Sequence, residues 1–269
     1  MKSKMRTVSP VRPLAGYVGG KKVLARHVIA AIEREPHDRY AEAFVGMGGI
    51  FLRRRSAAKV EVINDRSRDV ATFFRVLQRH YQALMDMLKW QVTSRAEFER
   101  LAGQDPERLT DLERSVRFLY LQRLAFGGKV AGRSFGIDTN GPARFDITKL
   151  GAMLEAAHER LAGVWIECLP WQEFLKRWDR PGTLFYLDPP YYGSEHHYGR
   201  GMFERAEFEA LNEALKGLQG RFVMTLNDVP EVRRIFGWAK MRGVPVTYTL
   251  PGMAGRQAAK ELIITGKRG

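Results

Sequence analysis

The chain has 269 residues, of which 45% are apolar, and a formal net charge of +14. This apolar content is enough to bury a large core, which excludes a mainly disordered chain. No stretch reaches the roughly 18 to 20 apolar residues that span a bilayer, and the polar start lacks the apolar middle of a secretion signal, so we expect a cytoplasmic protein with no membrane partner. The single cysteine, Cys168, excludes an internal disulfide and a Cys/His metal cluster, and we expect its sulfur to be buried and no metal to be bound.

The basic residues are concentrated in two stretches. Residues 1–80 carry 17 basic and 7 acidic side chains, and residues 114–149 carry 7 basic and 2 acidic ones. Lys and Arg side chains that neutralise phosphates release condensed counterions, so this distribution favours a polyanionic partner.

Short β-rich runs alternate with helical patterns, which is typical of an α/β fold with a mostly parallel sheet. The predicted strands are residues 40–45, Val60–Ile63, Val164–Glu167, Thr183–Leu187, Arg221–Leu226, Val244–Tyr248 and Glu261–Thr265. Apolar periodicity predicts helices over Ser67–Lys89, Asp111–Ala125, Thr148–Ala162 and Glu204–Leu218, with Thr148 and Gly163 as the start and stop signals of the third.

The strand rhythm stops for about 90 residues between Leu77 and Val164. This interval predicts helices followed by a basic, Gly-rich and aromatic stretch at residues 125–145. Such an interval within an α/β pattern indicates an inserted domain. We therefore expect one domain made of residues 1–77 and 164–269, with an insert at residues 78–163.

A glycine turn, Phe44-Val45-Gly46-Met47-Gly48-Gly49, follows the first predicted strand. Glycines there let the backbone approach a ligand, although such a turn can also be a plain connection. The next strand ends at Asp65, which can accept hydrogen bonds from ribose hydroxyls or cap the following helix. Near the N-terminus, Tyr17-Val18-Gly19-Gly20-Lys21-Lys22 precedes a helical pattern and is either an anion-binding helix start or an ordinary loop.

The most specific motif is Asp188-Pro189-Pro190-Tyr191, which follows a strand of β-forming residues. Two consecutive prolines rigidly present nearby carbonyls at the carboxyl edge of a sheet, where open α/β folds bind ligands. The exocyclic amine of a base has two N–H donors, which the Asp188 carboxylate and the Pro189 carbonyl can accept together. Tyr191 can stack on the base. The alternative is a rigid turn with a capping Asp.

The motifs follow one another along the chain as Tyr17 to Lys21, Phe44 to Gly48, the insert, and Asp188 to Tyr191. This order resembles that of the Dam-like family of adenine-N6 DNA methyltransferases, despite departures at Gly16, Ala43 and Pro170-Trp171. The resemblance implies a Rossmann-like methyltransferase sheet, mostly parallel with one antiparallel strand. It also implies an inserted, mainly helical target-recognition domain that carries a basic hairpin. The cofactor would be S-adenosylmethionine and the partner double-stranded DNA. The resemblance further implies a monomeric, cytoplasmic enzyme that is encoded by a bacterium or a phage. Such enzymes occur in restriction–modification systems.

The resemblance also implies roles for individual residues. Those expected at the cofactor are Tyr17, Lys21, Glu42, Phe44, Gly46, Gly48, Asp65, Trp171 and Asp188. Those expected to hold the target adenine are Asp188, Pro189, Pro190 and Tyr191, and those expected on DNA are Arg123, Lys129, Arg133 and Ser134. Two alternatives stay open: Trp171 can be a core residue beside Phe174, and the basic stretch can be a solvated hairpin.

The combined prediction is an enzyme that transfers a methyl group from S-adenosylmethionine to the N6 amine of an adenine flipped out of duplex DNA. Methylation at carbon 5 of cytosine is disfavoured, because the nucleophilic cysteine of that family follows a proline and Cys168 follows Glu167. The remaining alternatives are methylation of the cytosine N4 amine, methylation of RNA or protein amides, and a non-catalytic DNA-binding relative.

Overall fold

The structure is a computed structural model that describes residues 5–17, 21, 23–137, 141–194, 203–249 and 256–266. The central part of the N-terminal motif, Val18 to Gly20, and its last residue, Lys22, lie outside the described residues. None of the helices in the described ranges combines the length and the apolar character that crossing a lipid bilayer requires.

Nine strands are present in the described residues, and seven of them form the main sheet. The strands are β1 (Arg6–Thr7), β2 (Arg39–Glu42), β3 (Ser56–Ala57), β4 (Val60–Asn64), β5 (Trp165–Glu167), β6 (Thr183–Leu187), β7 (Arg221–Asn227), β8 (Lys240–Thr249) and β9 (Arg256–Thr265). The main sheet has the order β5-β4-β2-β6-β7-β9-β8, whereas β1 pairs with β3. Neighbours from β5 to β7 are parallel, and β9 is antiparallel to both β7 and β8. The predicted mostly parallel sheet with one antiparallel strand is confirmed.

Helices cover both faces of this sheet. They are α1 (Ala25–Arg34), α2 (Arg68–Arg79), α3 (Tyr81–Leu88), α4 (Arg95–Ala102), α5 (Asp111–Leu124), α6 (Ile147–Arg160), α7 (Trp171–Trp178), α8 (Glu207–Lys216) and α9 (Pro230–Ile235). Strand β6 is buried along its whole length. Its Leu184 and Tyr186 pack into one apolar cluster and its Phe185 and Leu187 into another, because successive side chains of a strand point to opposite faces.

The chain reverses its direction of strand addition beside β2. From β2 the chain first adds β4 and β5 on one side, and then crosses to add β6 on the other. Ligands in open α/β sheets bind at such a switch point, outside the carboxyl ends of the strands. The loops after β2 and β6 are therefore the expected place for a functional site.

The segment between α2 and β5 is mainly helical, and its helices pack on α2. Helix α5 contacts α2, α3 and α4, and α6 contacts α2 and α3. Leu84, Phe98 and Leu119 lie in the same apolar cluster as Phe73 of α2, so this segment extends the core of the sheet rather than enclosing a separate one. The recognition role and the exact bounds of the insert stay predictions.

A buried ionic cluster joins α6 to the sheet. Glu61 of β4 binds two arginines, at 2.8 Å from its Oε1 to Nη1 of Arg54 and at 2.7 Å from its Oε2 to Nη1 of Arg160. Nη2 of Arg160 donates a further hydrogen bond of 3.1 Å to Oε1. All three side chains are buried, at no more than 5% exposed. One carboxylate therefore faces two guanidinium groups away from solvent.

Three predictions from the sequence were wrong in detail. The helix predicted over Ser67–Lys89 is two helices, because His80 has φ −126° and ψ 37°, outside the helical region. Helix α6 is capped by Asp146, whose side chain accepts the Thr148 N–H, and not by Thr148. Cys168 is exposed, since it follows β5 at the edge of the sheet, where Trp165 is also 62% exposed.

Candidate functional site

A cavity of about 830 Å³ opens at the switch point, in the size range of pockets that hold small organic ligands. The loop after β2, the end of β4, the start of α7 and the corner after β6 all contribute to its wall. The site residues predicted from the sequence that line it are Tyr17, Lys21, Glu42, Phe44, Gly46, Asp65, Arg123, Trp171, Asp188 and Pro190. The structure thus brings Tyr17 and Lys21 of the N-terminal motif, the glycine turn, the strand-end Asp and the Asp-Pro-Pro corner to one place.

The glycine turn after β2 needs glycine at two positions. Gly46 has φ +49°, and a Cβ there would lie 3.0 Å from the ring of Tyr17. Gly48 has φ +72°, and a Cβ there would lie 2.8 Å from Leu52. Both backbone conformations are costly for other residues, so these glycines set the path of the loop along the cavity.

Asp65 connects the ends of two strands. Its Oδ2 accepts the Gly46 N–H at 2.9 Å, and its Oδ1 accepts the Ser67 N–H at 2.9 Å. Burial raises the pKa of the Asp65 carboxyl to about 6, although the two backbone N–H groups oppose the shift. Each oxygen has a second lone pair, so the carboxylate can accept further hydrogen bonds from a ligand.

Asn64, which the sequence reasoning missed, fixes the neighbouring loop. Its Nδ2 donates to the carbonyls of Ala43 at 3.0 Å and Leu169 at 3.1 Å, and its Oδ1 accepts the Leu169 N–H at 2.9 Å. Trp171 follows in that loop, lines the cavity, and is only 4% exposed. Its Nε1 donates to Glu207 at 3.3 Å. Trp171 is therefore both a core residue and part of the cavity wall.

Glu42, at the end of β2, is a buried acid in the cavity wall. The hydroxyl of Tyr40 donates to its Oε2 at 2.5 Å. Burial raises the pKa of Glu42 to about 8, with the Tyr40 hydrogen bond and the charge of Arg54 opposing the shift. Burial therefore favours the protonated form of this carboxyl.

Two side chains bind the same oxygen of the Asp188 carboxylate. Nζ of Lys21 lies 2.8 Å from Oδ1, and the Thr225 hydroxyl donates to the same oxygen at 2.7 Å. Because the Thr225 proton is used there, the Tyr186 hydroxyl is the donor in its 3.0 Å contact with Thr225. Burial raises the pKa of Asp188, and Lys21 and Thr225 oppose the shift. Two side chains therefore fix Oδ1 of a residue that lines the cavity.

The two tyrosines after the prolines are also fixed. Nζ of Lys21 lies 4.5 Å from the centroid of the Tyr191 ring, and the Tyr191 hydroxyl donates to Glu261. Asn227 binds the backbone of Tyr192 at both its N–H and its carbonyl, each at 3.0 Å. Pro189 and Pro190 are buried. The whole corner therefore has defined contacts on the sheet edge.

The basic stretch of the insert folds back on itself. Ala125 and Phe135 form an antiparallel bridge, and the Phe126 N–H donates to the Ser134 carbonyl at 2.9 Å. Lys129 and Ser134 are exposed.

The two arginines predicted to contact DNA, Arg123 near the end of α5 and Arg133 in this stretch, have protein partners. Nη1 of Arg123 donates to the Leu14 carbonyl at 2.9 Å, and its Nη2 donates to the Arg144 carbonyl. Arg133 donates to Oε1 of Gln122 from Nε at 3.3 Å and from Nη2 at 3.2 Å. These bonds use some of the five N–H donors of each guanidinium and leave others for a ligand. DNA contact by the four residues stays a prediction.

Comparison with known proteins identifies the family. The sequence profile of the D12 class N6 adenine-specific DNA methyltransferases matches residues 17–243. The chain belongs to this class. The family resemblance predicted from the motifs is confirmed, and with it an enzyme of the adenine-specific DNA methyltransferase type. The matched range contains every predicted site residue but ends before β9.

Two relatives carry names that agree with this class. The methyltransferase is 25% identical over 191 residues to the Type II methyltransferase M1.LlaDCHI of Lactococcus lactis subsp. cremoris, covering 67% of this chain and 66% of that protein. It is 24% identical over 277 residues to the DNA adenine methylase of Haemophilus influenzae, covering 94% and 92%. Among solved structures, it is similar to precorrin 8W decarboxylase of Methanobacterium thermoautotrophicum, with a TM-score of 0.39, 12% identity, and coverage of 97% and 100%.

Proposed function

We propose that this methyltransferase binds S-adenosylmethionine in the cavity at the ends of β2 and β6 and methylates the N6 amine of an adenine flipped out of duplex DNA. The observation that carries the proposal is the corner after β6. There the half-buried Asp188 and the buried Pro190 line the same cavity as the glycine turn and Asp65. An amine acceptor and a nucleoside-binding surface thus meet in one pocket.

The residues around the cavity fit S-adenosylmethionine. The positive φ of Gly46 lets the backbone approach the ligand, and the free lone pairs of Asp65 suit ribose hydroxyls. Glu42 places a second acidic group in the wall, where a cationic ligand favours its ionised form. When bound, the cofactor supplies an electrophilic methyl group on a positively charged sulfur.

Asp188 orients the reacting amine and then accepts a proton from it. Its Oδ2 accepts one N–H of the amine and the Pro189 carbonyl accepts the other, which directs the nitrogen lone pair at the methyl group. As the nitrogen gains its new bond it becomes positively charged, and the adjacent carboxylate stabilises that charge. The nitrogen then loses a proton, and the raised pKa of Asp188 suits this carboxylate to accept it.

The DNA is proposed to lie on the face that carries the basic stretch of the insert. Lys129 and Ser134 are exposed there and can bind phosphates. Arg123 lies where this stretch meets the cavity, and Arg133 is anchored nearby by Gln122. Their remaining donors can reach a phosphate or a guanine edge. The position of Arg123 in the cavity wall supports the proposal that DNA bound to this stretch lies close to the base-binding site.

The nature of the product tests the proposed function. The protein is incubated with S-adenosylmethionine tritiated in its methyl group and with duplex DNA that lacks adenine methylation, and the hydrolysed nucleosides are separated. We expect the label in N6-methyladenine. Parallel reactions contain RNA or a protein extract. Label in N4-methylcytosine, or label in RNA or protein but not in DNA, would contradict the proposal.

Cofactor binding is expected to depend on pH through Asp65. Its pKa is about 6. The carboxylate that accepts ribose hydroxyls is therefore lost as the pH falls through this value, and affinity should drop about tenfold between pH 7 and pH 5. Calorimetric titration with S-adenosylmethionine measures this. The titrations are limited to pH 7 and below, because Glu42, with a pKa of about 8, also titrates at higher pH.

Two variants complete this measurement. Asp65→Asn should bind more weakly and show little change from pH 5 to pH 7, whereas Asp228→Asn should keep the slope of the natural protein. Asp228 bonds the largely exposed Arg233 and is not among the residues that line the cavity. A profile that is flat in the natural protein would remove Asp65 from the binding site.

A further inference from the structure

Glu261 is a buried acid that belongs to a predicted strand but was not among the predicted site residues. It lies on β9, beyond residues 17–243, and is only 2% exposed. A buried carboxylate is costly unless charges or hydrogen bonds compensate for the lost water. Burial raises the pKa of Glu261, while the charge of Lys21 and the hydrogen bond from Tyr191 lower it and the charge of Asp188 raises it. Every group in this balance belongs to the candidate active site.

The contact between Glu261 and Tyr191 fixes the position of the aromatic ring. The Tyr191 hydroxyl donates to Oε2 of Glu261, and Nζ of Lys21 lies 4.5 Å from the centre of the same ring. Because the hydroxyl lies on the long axis of the ring, this hydrogen bond fixes the position of the far end of the ring, while the Lys21 ammonium packs against the ring itself. A ring held in this way loses little conformational freedom when a flat group stacks on it.

The pairing of β7 with β9 places this acid opposite a second anchor of the same corner. In the antiparallel register, Asn227 of β7 lies opposite Glu261 of β9. Asn227 binds the backbone N–H and carbonyl of Tyr192, the residue that follows Tyr191. One pair of opposed residues therefore holds the backbone of the corner on one side and the Tyr191 side chain on the other.

We infer that Glu261 is a positioning residue that holds the Tyr191 ring in the plane on which the target base stacks. The inference rests on the proposed function, in which Tyr191 receives the flipped adenine. Glu261 acts through the Tyr191 hydroxyl and does not touch the base. Its removal should therefore lower the rate of methyl transfer once DNA is bound, because the base meets Tyr191 only after it has left the duplex.

A double-mutant cycle tests this inference. Methyl transfer to unmethylated duplex DNA is measured for Glu261→Leu, Tyr191→Phe and the combination of the two. Each single change should lower kcat about tenfold and leave KM for DNA within about twofold, since base stacking and its geometry are worth roughly one to two powers of ten in rate. The combination should be no slower than the slower single variant, because Glu261 has no hydroxyl to hold once Tyr191 is replaced by phenylalanine.

Two further variants separate positioning from folding. Glu261→Gln keeps an acceptor oxygen and should retain at least about a third of the natural kcat. Asn212→Leu removes the acceptor of a different aromatic donor: Nε1 of Trp238 donates to Oδ1 of Asn212 at 2.6 Å. Neither Asn212 nor Trp238 is among the residues that line the cavity. It should lower the melting temperature and leave kcat unchanged.

The outcomes are distinct. If the losses from Glu261→Leu and Tyr191→Phe multiply in the combination, or if Glu261→Leu is as fast as the natural protein, the inference is wrong. The proposed function fails separately, if the natural protein transfers no label to adenine in DNA. If Glu261→Leu does not fold, Glu261→Gln tests the inference instead. It is made both in the natural protein and in the Tyr191→Phe variant. Any slowing that it causes in the natural protein must be absent in the Tyr191→Phe variant, which has no hydroxyl.

Discussion

Asp188→Asn is expected to slow methyl transfer on the order of 10³-fold under single-turnover conditions with saturating cofactor and DNA. Asparagine has nearly the same shape and can still accept from Thr225. It cannot carry the negative charge that faces the amine as its nitrogen becomes positive, and it cannot accept the proton. Lys21 also loses the ionised partner that lies 2.8 Å away. The loss should therefore fall on the chemical step.

The pH dependence and a matched variant make this result specific. Because burial raises the pKa of Asp188, the rate of the natural protein should increase with pH as this carboxyl ionises and then level off. The Asp188→Asn variant should lack this step. Asp228→Asn changes an acid that follows the next strand, β7, and should leave the rate unchanged. Equal label transfer by Asp188→Asn and the natural protein would exclude Asp188 from catalysis.

Glu61→Gln is expected to lower the free energy of unfolding by about 3 to 5 kcal/mol. The change keeps the volume of the side chain but leaves Arg54 and Arg160, both buried, without the charge that compensates them. For a chain of this size, the loss corresponds to a fall of roughly 6 to 20 °C in Tm. Thermal unfolding followed by circular dichroism measures it.

Glu213→Gln is the matched control for this change. Glu213 also pairs with a cation, at 2.7 Å from Nζ of Lys216, but both side chains are largely exposed. Solvent screens such a pair, so the free energy of unfolding should change by only about 0.2 to 1 kcal/mol. Similar effects of the two substitutions would mean that the Glu61 cluster is not a major source of stability.

The parts of the fold and site that could be predicted are those with local signals. The strand run before Asp188, its two prolines and the glycines near Phe44 each signal their structure within a few residues, and strand-end positions bring them to one sheet edge. The class of the fold followed from the same alternation. The resemblance to a known family indicated which reaction these motifs would serve together.

The supporting contacts could not be predicted, because their partners are distant in sequence. Thr225 is 37 residues from Asp188, and in the sequence it indicates only a β-forming residue within a strand. Glu261 is 70 residues from Tyr191 and reads as a charged residue at the start of an apolar run. The break between α2 and α3 falls at His80, where no Pro or Gly signals it.

The strand order has a consequence for how the molecule is completed. Strand β9 follows β8 along the chain, yet it lies between β7 and β8 and is the neighbour to which both are hydrogen-bonded. Strand β8 is synthesised before β9, the strand with which it pairs in the sheet. A translation product that stops before residue 256 is therefore expected to lack two strands of the sheet rather than one.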